Sequence, residues 1–386
     1  MDTYNIIATS PFGLESCVKH EAIDLGFKNI KTFDSKVEFT GGASDIVKAN
    51  LWFRCAGRIL IKIGEFKAAT FDELFEGTKS LPWGDIIPAD ARFTVTGKAV
   101  RSTLMSVPDC QSIVKKAIVE KMKEKHKVSW FDETGADYTV QVSILKDIAT
   151  LTIDTTGFGL HKRGYRENAV DAPLKEILAA AMIYLSFWNK ERILLDPFCG
   201  SGTIPIEAAM IARNIAPGLN SRFACERWAQ IDQKLWKEAR IEAYQSIDTE
   251  SKLQIYGSDI DENAIKTARE NAEKAGVDDS ICFSVQPLSK LTLPGDYGVL
   301  IANPPYGERL SDLAETEELY RELGKLMRTN ETWSTYVITS MEYFEKLFDR
   351  KADSKRKLFN GRIKTDYYQF YGPRPPKARQ LPSSKG

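Results

Sequence analysis

The residues with the clearest potential for chemistry are Asn303-Pro304-Pro305-Tyr306, which follow the apolar run Val299-Leu300-Ile301-Ala302. Two consecutive prolines restrict the backbone and remove two amide donors, so this loop is stiff and its carbonyls have few competing donors. The Asn303 amide and the carbonyls would accept hydrogen bonds from an amino group on a planar ring, and the Tyr306 ring would stack on that ring. An ordinary proline turn after a strand would use the same residues, so the tetrapeptide alone leaves site and turn open.

Two more predicted strands end in an acid. Ile193-Leu194-Leu195-Asp196 leads into the glycine turn Pro197 to Thr203, and Leu253 to Asp259 forms the second strand. A glycine turn permits close approach of a ligand, and an acid at the next strand end can accept hydrogen bonds from two ribose hydroxyls. The turn has neither the dinucleotide glycine spacing nor the Gly-Lys-Ser/Thr of a phosphate loop. The pattern therefore predicts a nucleoside cofactor without phosphates.

Alternating strands and helices from residue 192 onward predict an α/β fold with a parallel, doubly wound sheet. Such a sheet brings Asp196, Asp259 and Asn303 to one edge. Asn360-Gly361 between two polar-apolar runs predicts a terminal antiparallel hairpin. A helix is expected over residues 171 to 188, with Pro173 in its first turn.

The N-terminal part predicts two smaller units. Residues 4 to 65 suggest the order β-α-β-α-β of a ferredoxin-like α+β unit, and residues 70 to 154 end in a strand pair around Lys146-Asp147. From Lys98 to Lys127 there are eight basic and three acidic residues. That excess could neutralise RNA phosphates, or it could be the solvated face of a lysine-rich helix.

Composition sets outer limits on the function. The 386 residues allow two or three domains, and the formal net charge of zero shows no overall preference for nucleic acid. Six cysteines without a Cys-x-x-Cys pair and three scattered histidines argue for reduced thiols and against a metal site. No leader or membrane-length apolar run is evident, so a cytoplasmic protein without membrane association is expected.

The ordered set of Asp196 to Thr203, Gly257 to Asp261 and Asn303 to Tyr306, with the terminal hairpin, resembles the class I S-adenosylmethionine-dependent amino-methyltransferases. Arg163 to Arg166, Ala172 to Lys175 and Asn303 to Leu310 are, more narrowly, similar to bacterial large-subunit (23S) ribosomal RNA guanine-N2 methyltransferases that carry a THUMP RNA-binding domain. The resemblance implies a Rossmann-like catalytic domain preceded by a ferredoxin-like and a THUMP domain. The expected domains are residues 1–66 (ferredoxin-like), 67–157 (THUMP), 158–190 (linker and first catalytic helix) and 191–386 (methyltransferase).

The resemblance also implies site residues and S-adenosylmethionine as cofactor. The implied catalytic residues are Asn303, Pro304, Pro305 and Tyr306. The implied cofactor-binding residues are Asp196, Pro197, Phe198, Gly200, Ser201, Gly202, Thr203, Asp259, Ile260, Gln286, Ala172, Pro173, Leu174 and Lys175. The implied RNA-binding residues are Lys98, Arg101, Lys115, Lys116, Arg163, Tyr165 and Arg166.

Asp196 and the turn glycines would line the methionine part of the cofactor and Asp259 would hold the ribose, whereas Asp261 is expected to cap the following helix. One position departs from the family pattern. The family usually has an acid just after the third strand that accepts from the adenine amine, but Val285-Gln286-Pro287-Leu288 contains none. Either the Gln286 amide oxygen or the backbone alone would then hold the adenine.

The expected reaction is methyl transfer to the exocyclic N2 amine of a guanine in ribosomal RNA. The Asn303 oxygen and the Pro304 carbonyl would accept the two amine N–H bonds, so that no strong general base is needed. The choice of guanine as the methylated base rests on the resemblance alone. The alternatives are adenine N6 in DNA or RNA, guanine N2 in transfer RNA, and an RNA-binding assembly factor without catalysis. The modified nucleotide and the oligomeric state stay open.

Overall fold

The computed structural model describes residues 3–166, 174–307 and 312–376. The chain divides into two compact units, Met1–Gly164 with Ile215–Ile247 and Tyr165–Asn214 with Asp248–Gly386. This division is coarser than the four expected domains, whose boundaries stay predictions. Within the described ranges, no helix has both the length and the apolar character needed to cross a membrane.

The elements up to residue 154 are β1 (Tyr4–Thr9), α1 (Glu15–Asp24), β2 (Lys28–Phe33), β3 (Lys36–Gly41), α2 (Ala43–Trp52), β4 (Ile59–Lys67), α3 (Phe71–Lys79), α4 (Trp83–Ile86), β5 (Arg92–Val100), α5 (Val107–His126), β6 (Asp137–Leu145) and β7 (Ile148–Asp154). The later elements are α6 (Glu176–Tyr184), β8 (Leu194–Asp196), α7 (Thr203–Ala212), α8 (Gln233–Gln245), β9 (Ile255–Asp259), α9 (Glu262–Ala275), β10 (Ile281–Val285), β11 (Val299–Ala302), α10 (Leu313–Arg328), β12 (Ser334–Thr339), α11 (Phe344–Phe348), β13 (Ser354–Asn360) and β14 (Ile363–Phe370).

One sheet of order β2-β3-β1-β4-β7-β6-β5 runs through the first unit. Its β1-α1-β2-β3-α2-β4 part is the ferredoxin-like arrangement, and antiparallel pairing of β4 with β7 extends the sheet into β5, β6 and β7. The hairpin of β6 and β7 around Lys146-Asp147 is as predicted. Strand β2 was not predicted. It is an edge strand with five exposed residues of six, so its sequence lacks the apolar alternation of a half-buried strand.

The segment Ile215–Ile247 lies within the catalytic region of the sequence but belongs to the first unit. The Arg54 guanidinium donates to the Ile215 carbonyl at 2.6 Å, and the rings of Tyr138 and Trp228 stack with centroids 4.4 Å apart. This segment therefore packs with the N-terminal elements, although it lies within the expected methyltransferase domain of residues 191–386.

The sheet of the second unit has the order β10-β9-β8-β11-β12-β14-β13. Strands β8 to β12 are parallel neighbours, while β14 pairs antiparallel with both β12 and β13. Every residue of β8 and β11 is buried, as expected for central strands covered by helices on both faces. The predicted doubly wound sheet with a terminal antiparallel hairpin is confirmed.

Helix α6 is shorter than the predicted helix over residues 171 to 188. It begins at Glu176 because Lys175 has an extended backbone, with φ −70° and ψ 141°. It ends at Tyr184, shortly before the Ser186 hydroxyl accepts the Trp188 amide and replaces a helical hydrogen bond. The predicted first turn, with Asp171 and Pro173, lies outside the described residues.

Candidate active site

A cavity of about 610 Å³ opens at the carboxyl edge of the second unit's sheet, where β8, β9, β10 and β11 end. Its lining residues are Leu174, Asp196, Pro197, Phe198, Cys199, Gly200, Ser201, Thr203, Ile204, Asp259, Ile260, Gln286, Pro287, Leu288, Asn303, Pro304, Pro305, Tyr306, Leu319, Glu322, Asn360 and Ile363. The glycine turn, Asp259 and the Asn-Pro-Pro-Tyr loop thus share one cavity. A volume of this size suits a nucleoside-sized ligand and a second planar group.

The glycine turn is shaped for a close ligand. Gly200 has φ +49°, and a Cβ there would meet no atom within 4 Å, so the turn presents bare backbone to open space. Gly202 has φ +82°, and its Cβ would lie 3.1 Å from the Phe283 ring. Gly202 does not line the cavity. It is required instead for the packing beneath the turn.

The acids after β9 have different roles. Asp259 accepts the Gly200 amide at 2.9 Å and the Asp261 amide at 3.0 Å, one on each carboxylate oxygen. Each oxygen keeps a lone pair that could accept a ribose hydroxyl. Asp261 accepts the Asn263 amide at 2.9 Å and is the N-cap of α9, as predicted.

The carboxyl group of Asp196 is buried at the end of β8, with 1% of its surface exposed. Burial, and to a smaller degree the charge of Asp259, raises the pKa of Asp196, although the Phe198 amide donates to it at 3.1 Å. Burial likewise raises the pKa of the adjacent Cys199 thiol. A cationic ligand group beside Asp196 would favour its ionised form. An amino-acid ammonium or a sulfonium is such a group, so these residues fit S-adenosylmethionine.

Hydrogen bonds hold the Asn-Pro-Pro-Tyr loop from three sides. The Tyr306 hydroxyl donates to the Asn303 side-chain oxygen at 2.6 Å, and the Asn360 amide donates to the Tyr306 hydroxyl at 3.2 Å. Below the loop, the buried Tyr320 hydroxyl donates to the Pro305 carbonyl at 2.7 Å. The expectation that these acceptors have few competing donors was therefore wrong in part, because two tyrosine hydroxyls already use them.

The predicted adenine end is lined by Ile260, Gln286, Pro287 and Leu288. Ile260 is 74% exposed, which gives a flat ligand an apolar contact. The backbone N–H of Gln286 donates to the backbone carbonyl of Asp259 at 2.9 Å, which ties this segment to the end of β9. Leu174 also lines the cavity, whereas Lys175 is exposed and does not. Ala172 and Pro173 lie outside the described residues.

Four predicted RNA-binding residues, Lys98, Arg101, Lys115 and Lys116, are exposed in the first unit. Lys115 and Lys116 lie 5.7 Å from the ring centroids of Phe93 and Phe75, respectively. Among the described residues, none of the four forms an ion pair, whereas two later lysines on α5 do: Lys121 pairs with Glu124 and Lys125 with Asp85. These four exposed side chains therefore carry positive charge that no ion pair among the described residues compensates.

The other three predicted RNA contacts need correction. Arg163 and Tyr165 are only 5% and 3% exposed. The Arg163 guanidinium donates to the Arg54 carbonyl at 2.8 Å, and the Tyr165 hydroxyl donates to Glu207 at 3.1 Å. Their polar groups are turned toward the protein, so they are not available to RNA.

Arg166 forms hydrogen bonds with residues beside and at the end of the glycine turn. Its guanidinium donates to the Thr203 hydroxyl at 2.8 Å and to the Leu174 carbonyl at 2.9 Å, and it lies 3.4 Å from the Glu176 carboxylate. It therefore joins the first turns of α6 and α7 beside the cavity, which is a positioning role and not a phosphate contact.

Several lining residues were not predicted, above all Leu319, Glu322, Asn360 and Ile363. They come from α10 and from the hairpin of β13 and β14, far along the chain from the strand ends. The Asn360-Gly361 signal identified the hairpin turn but not its position beside Tyr306. Among the described residues, no group of three or more His, Cys, Asp or Glu is placed to hold a metal ion.

The strand order of the second unit and the chemistry of its strand ends define a class I methyltransferase. Three family models match the chain: an "RlmL ferredoxin-like domain" at residues 5–60, a "THUMP domain" at 68–154 and an "RMKL-like, methyltransferase domain" at 163–369.

Known proteins are similar to this chain over nearly its whole length. A Bacillus subtilis (strain 168) protein named "Putative RNA methyltransferase YpsC" is 50% identical over 373 residues, 96% of this chain and 97% of the relative. A Listeria monocytogenes str. 4b F2365 crystal structure, described as "a predicted N6-adenine-specific DNA methylase", is 50% identical with a TM-score of 0.93 and 97% coverage of both chains. The structure of "SMU.472, a putative methyltransferase complexed with SAH" is 43% identical with a TM-score of 0.92, covering 97% of this chain and all (100%) of that one.

The chain therefore belongs to the THUMP-containing, RMKL-like class I methyltransferases, and the family resemblance of its motifs is confirmed. Its cofactor is S-adenosylmethionine, since a relative is complexed with the demethylated product, SAH.

Proposed function

We propose that this protein methylates the exocyclic N2 amine of a guanine in RNA, with large-subunit ribosomal RNA as the polymer. The observation that carries the proposal is the single cavity shared by the cofactor turn, Asp259 and the Asn303 to Tyr306 loop. One cavity allows a methyl donor and an amine acceptor to be held side by side, which is the main requirement of a direct transfer.

The cofactor supplies an electrophilic methyl group on a sulfonium. The protein must make a weak nucleophile competent, because the lone pair of a purine amine is delocalised into the ring. The Asn303 side-chain oxygen has two lone pairs and uses one for the Tyr306 hydroxyl, so the other accepts an amine N–H. The Pro304 carbonyl accepts the second N–H. These acceptors stabilise the positive charge that grows on the amine during transfer.

Tyr306 has two functions in this scheme. Its hydroxyl, held by the Asn360 amide, fixes the orientation of the Asn303 side chain before substrate arrives. Its ring provides the face on which a base turned out of its helix would stack. The loop itself is held from below by the Tyr320 hydroxyl, so the acceptors are preorganised.

Support for RNA comes from the first unit. It contains the segment that matches the THUMP model, and the exposed basic residues Lys98, Arg101, Lys115 and Lys116 on it are suited to phosphates. The name of the Bacillus relative points the same way. Large-subunit ribosomal RNA is favoured by the sequence resemblance and by the match of residues 5–60 to the RlmL ferredoxin-like model.

Methylation of adenine N6 is the second candidate. The Listeria structure at 50% identity is described as an N6-adenine-specific DNA methylase. The acceptor pair formed by Asn303 and the Pro304 carbonyl would serve either amine, so the loop does not separate the two bases.

The deciding experiment is mass spectrometry of nucleosides from ribosomal RNA, transfer RNA and DNA of a strain that lacks the gene. We expect N2-methylguanosine to be lost from large-subunit ribosomal RNA and to return with the wild-type gene. Loss of N6-methyladenosine instead would refute guanine as the methylated base. Loss of N2-methylguanosine from transfer RNA alone would refute large-subunit ribosomal RNA as the substrate.

The site assignment is tested by complementing the same strain with Asn303→Ala. This variant should fail to restore the methylated nucleoside and should still bind SAH, because its side chain contacts the amine and not the cofactor turn. Asn263→Ala, an exposed asparagine outside the cavity, is the matched control and should restore it fully. Restoration by Asn303→Ala would show that the loop is not the amine site.

A further inference from the structure

The cofactor site lacks an acid where the family pattern has one. Val285-Gln286-Pro287-Leu288 follows β10 and lines the predicted adenine end without a carboxylate. The Gln286 side chain can either donate or accept, so by itself it would not distinguish an amino group from a carbonyl on the purine.

A carboxylate reaches the same cavity from another element. Glu322 lies on α10 and lines the cavity together with Leu319, one turn earlier on the helix. Leu288 and Leu323 belong to one hydrophobic core, against which Leu319 packs. Helix α10 contacts the short turn Leu288–Lys290 that follows β10, and Leu319 and Glu322 line the cavity from this helix.

Different elements line the substrate end of the cavity. The hairpin residues Asn360 and Ile363 line that end beside Tyr306 and come from β13 and β14. Strand β10 and this hairpin lie at opposite ends of the sheet order. Helix α10 contacts both regions: its Tyr320 hydroxyl donates to the Pro305 carbonyl below the loop, and the helix also contacts the turn after β10.

The charge of Glu322 is uncompensated. On the same helix, Glu317 and Glu318 both pair with Arg321, at 2.8 Å and 3.2 Å. Glu322 is half-buried, and within residues 3–166, 174–307 and 312–376 it has no hydrogen-bond or ion-pair partner. Its carboxylate oxygens are therefore available to accept a hydrogen bond from a bound ligand.

We propose that Glu322 replaces the missing acid and accepts a hydrogen bond from the exocyclic amine of the cofactor's adenine. An ionised carboxylate only accepts hydrogen bonds, so it favours an amino group and disfavours a carbonyl at that purine position. Glu322 thus acts as the purine-selecting residue, while Gln286 contributes backbone and packing.

The test is calorimetric titration of the full-length protein with SAH and with S-inosylhomocysteine, in which a carbonyl replaces the adenine amine. No RNA is present, so the result does not depend on which base is methylated. Wild-type protein should bind SAH more tightly. Glu322→Ala should weaken SAH binding on the order of ten-fold, as for loss of one hydrogen bond to a charged group, and should leave S-inosylhomocysteine binding unchanged or improved.

Glu318→Ala is the matched control, since this glutamate lies on the same helix but outside the cavity. It should keep the wild-type preference, and all variants should show the wild-type unfolding temperature without ligand. Two results would overturn the proposal. Glu322→Ala could keep the full wild-type preference for SAH over S-inosylhomocysteine, or Gln286→Ala alone could lose that preference. Either would assign the adenine amine to Gln286 or to the backbone.

Discussion

The hydroxyl of Tyr320 offers a sharp test of how the catalytic loop is held. The side chain is fully buried, donates to the Pro305 carbonyl at 2.7 Å and lies 2.8 Å from the Thr339 hydroxyl. Burial raises the pKa of Tyr320, so the hydroxyl stays protonated at any assay pH near neutrality. Tyr320→Phe removes this donor and keeps the ring, which packs edge to face on Phe344 at 4.9 Å.

The loss of stability should be modest. Thr339 keeps a partner because its hydroxyl also accepts the Met341 amide at 3.1 Å, and exposed Pro305 leaves its carbonyl near water. We therefore expect a loss of about 1–2 kcal/mol in the free energy of unfolding, at the scale of one unmade hydrogen bond. That corresponds to a decrease of roughly 2–8 °C in the unfolding temperature for a unit of this size.

The effect on catalysis should be larger than the effect on binding. Without its anchor the Pro305 carbonyl is free to shift, and Asn303 with it. A small misplacement of reacting groups costs on the order of ten- to a hundred-fold in turnover. The SAH dissociation constant should change less than two-fold, roughly, because Tyr320 does not line the cavity.

The assay combines single-turnover methyl transfer at saturating RNA with titration of SAH. Tyr367→Phe is the control, because Tyr367 is equally buried and its hydroxyl donates to the Met182 carbonyl at 2.8 Å, away from the loop. It should lose similar stability but keep the wild-type rate. The role of Tyr320 would be refuted if Tyr320→Phe transferred the methyl group at the wild-type rate. It would also be refuted if Tyr320→Phe and Tyr367→Phe lost the same fraction of that rate.

Three further predictions concern other parts of the protein. Replacing both Lys115 and Lys116 with alanine should weaken RNA binding and lower the slope of log affinity against log salt by about 1.4, which filter binding at several salt concentrations would measure. Asn360→Ala should slow methyl transfer several-fold with unchanged SAH affinity, because the Tyr306 hydroxyl loses its donor, and an unchanged rate would contradict that role. Burial raises the pKa of Asp196, so cofactor affinity should rise with pH as the carboxyl group ionises and a proton should be released on binding; calorimetry in buffers of different ionisation enthalpy should show this release, and Asp196→Asn should abolish it.

Truncation is a poor test of RNA binding by the first unit. Removing residues 1 to 154 would strip the partners from Ile215–Ile247, which packs with that unit. Such a truncation would expose apolar surface and confuse RNA binding with folding. Substitution of exposed lysines avoids this, because their side chains contribute little to the core.

Local patterns were sufficient for much of the fold. Strand β8 is a short apolar run that ends in Asp196, and β11 is one that is followed by Asn303. Helix α9 lies between recognisable cap residues, Asp261 and Gly276. In each case the signal lies within a few neighbouring residues. Strand β2 was missed because an exposed edge strand has no apolar periodicity. Arg163 and Tyr165 were wrongly predicted to contact RNA, because their burial depends on residues that are far away in the sequence.

The sequence by itself determined the strand-end chemistry of Asp196, Asp259 and Asn303, since parallel strands with helical crossovers leave those residues at one edge. Only the tertiary structure decided what surrounds them. Asn360 meets Tyr306 and Glu322 enters the cavity because the sheet and α10 fold back across long stretches of chain. Such neighbours are set by the packing of whole elements, and no short motif specifies them.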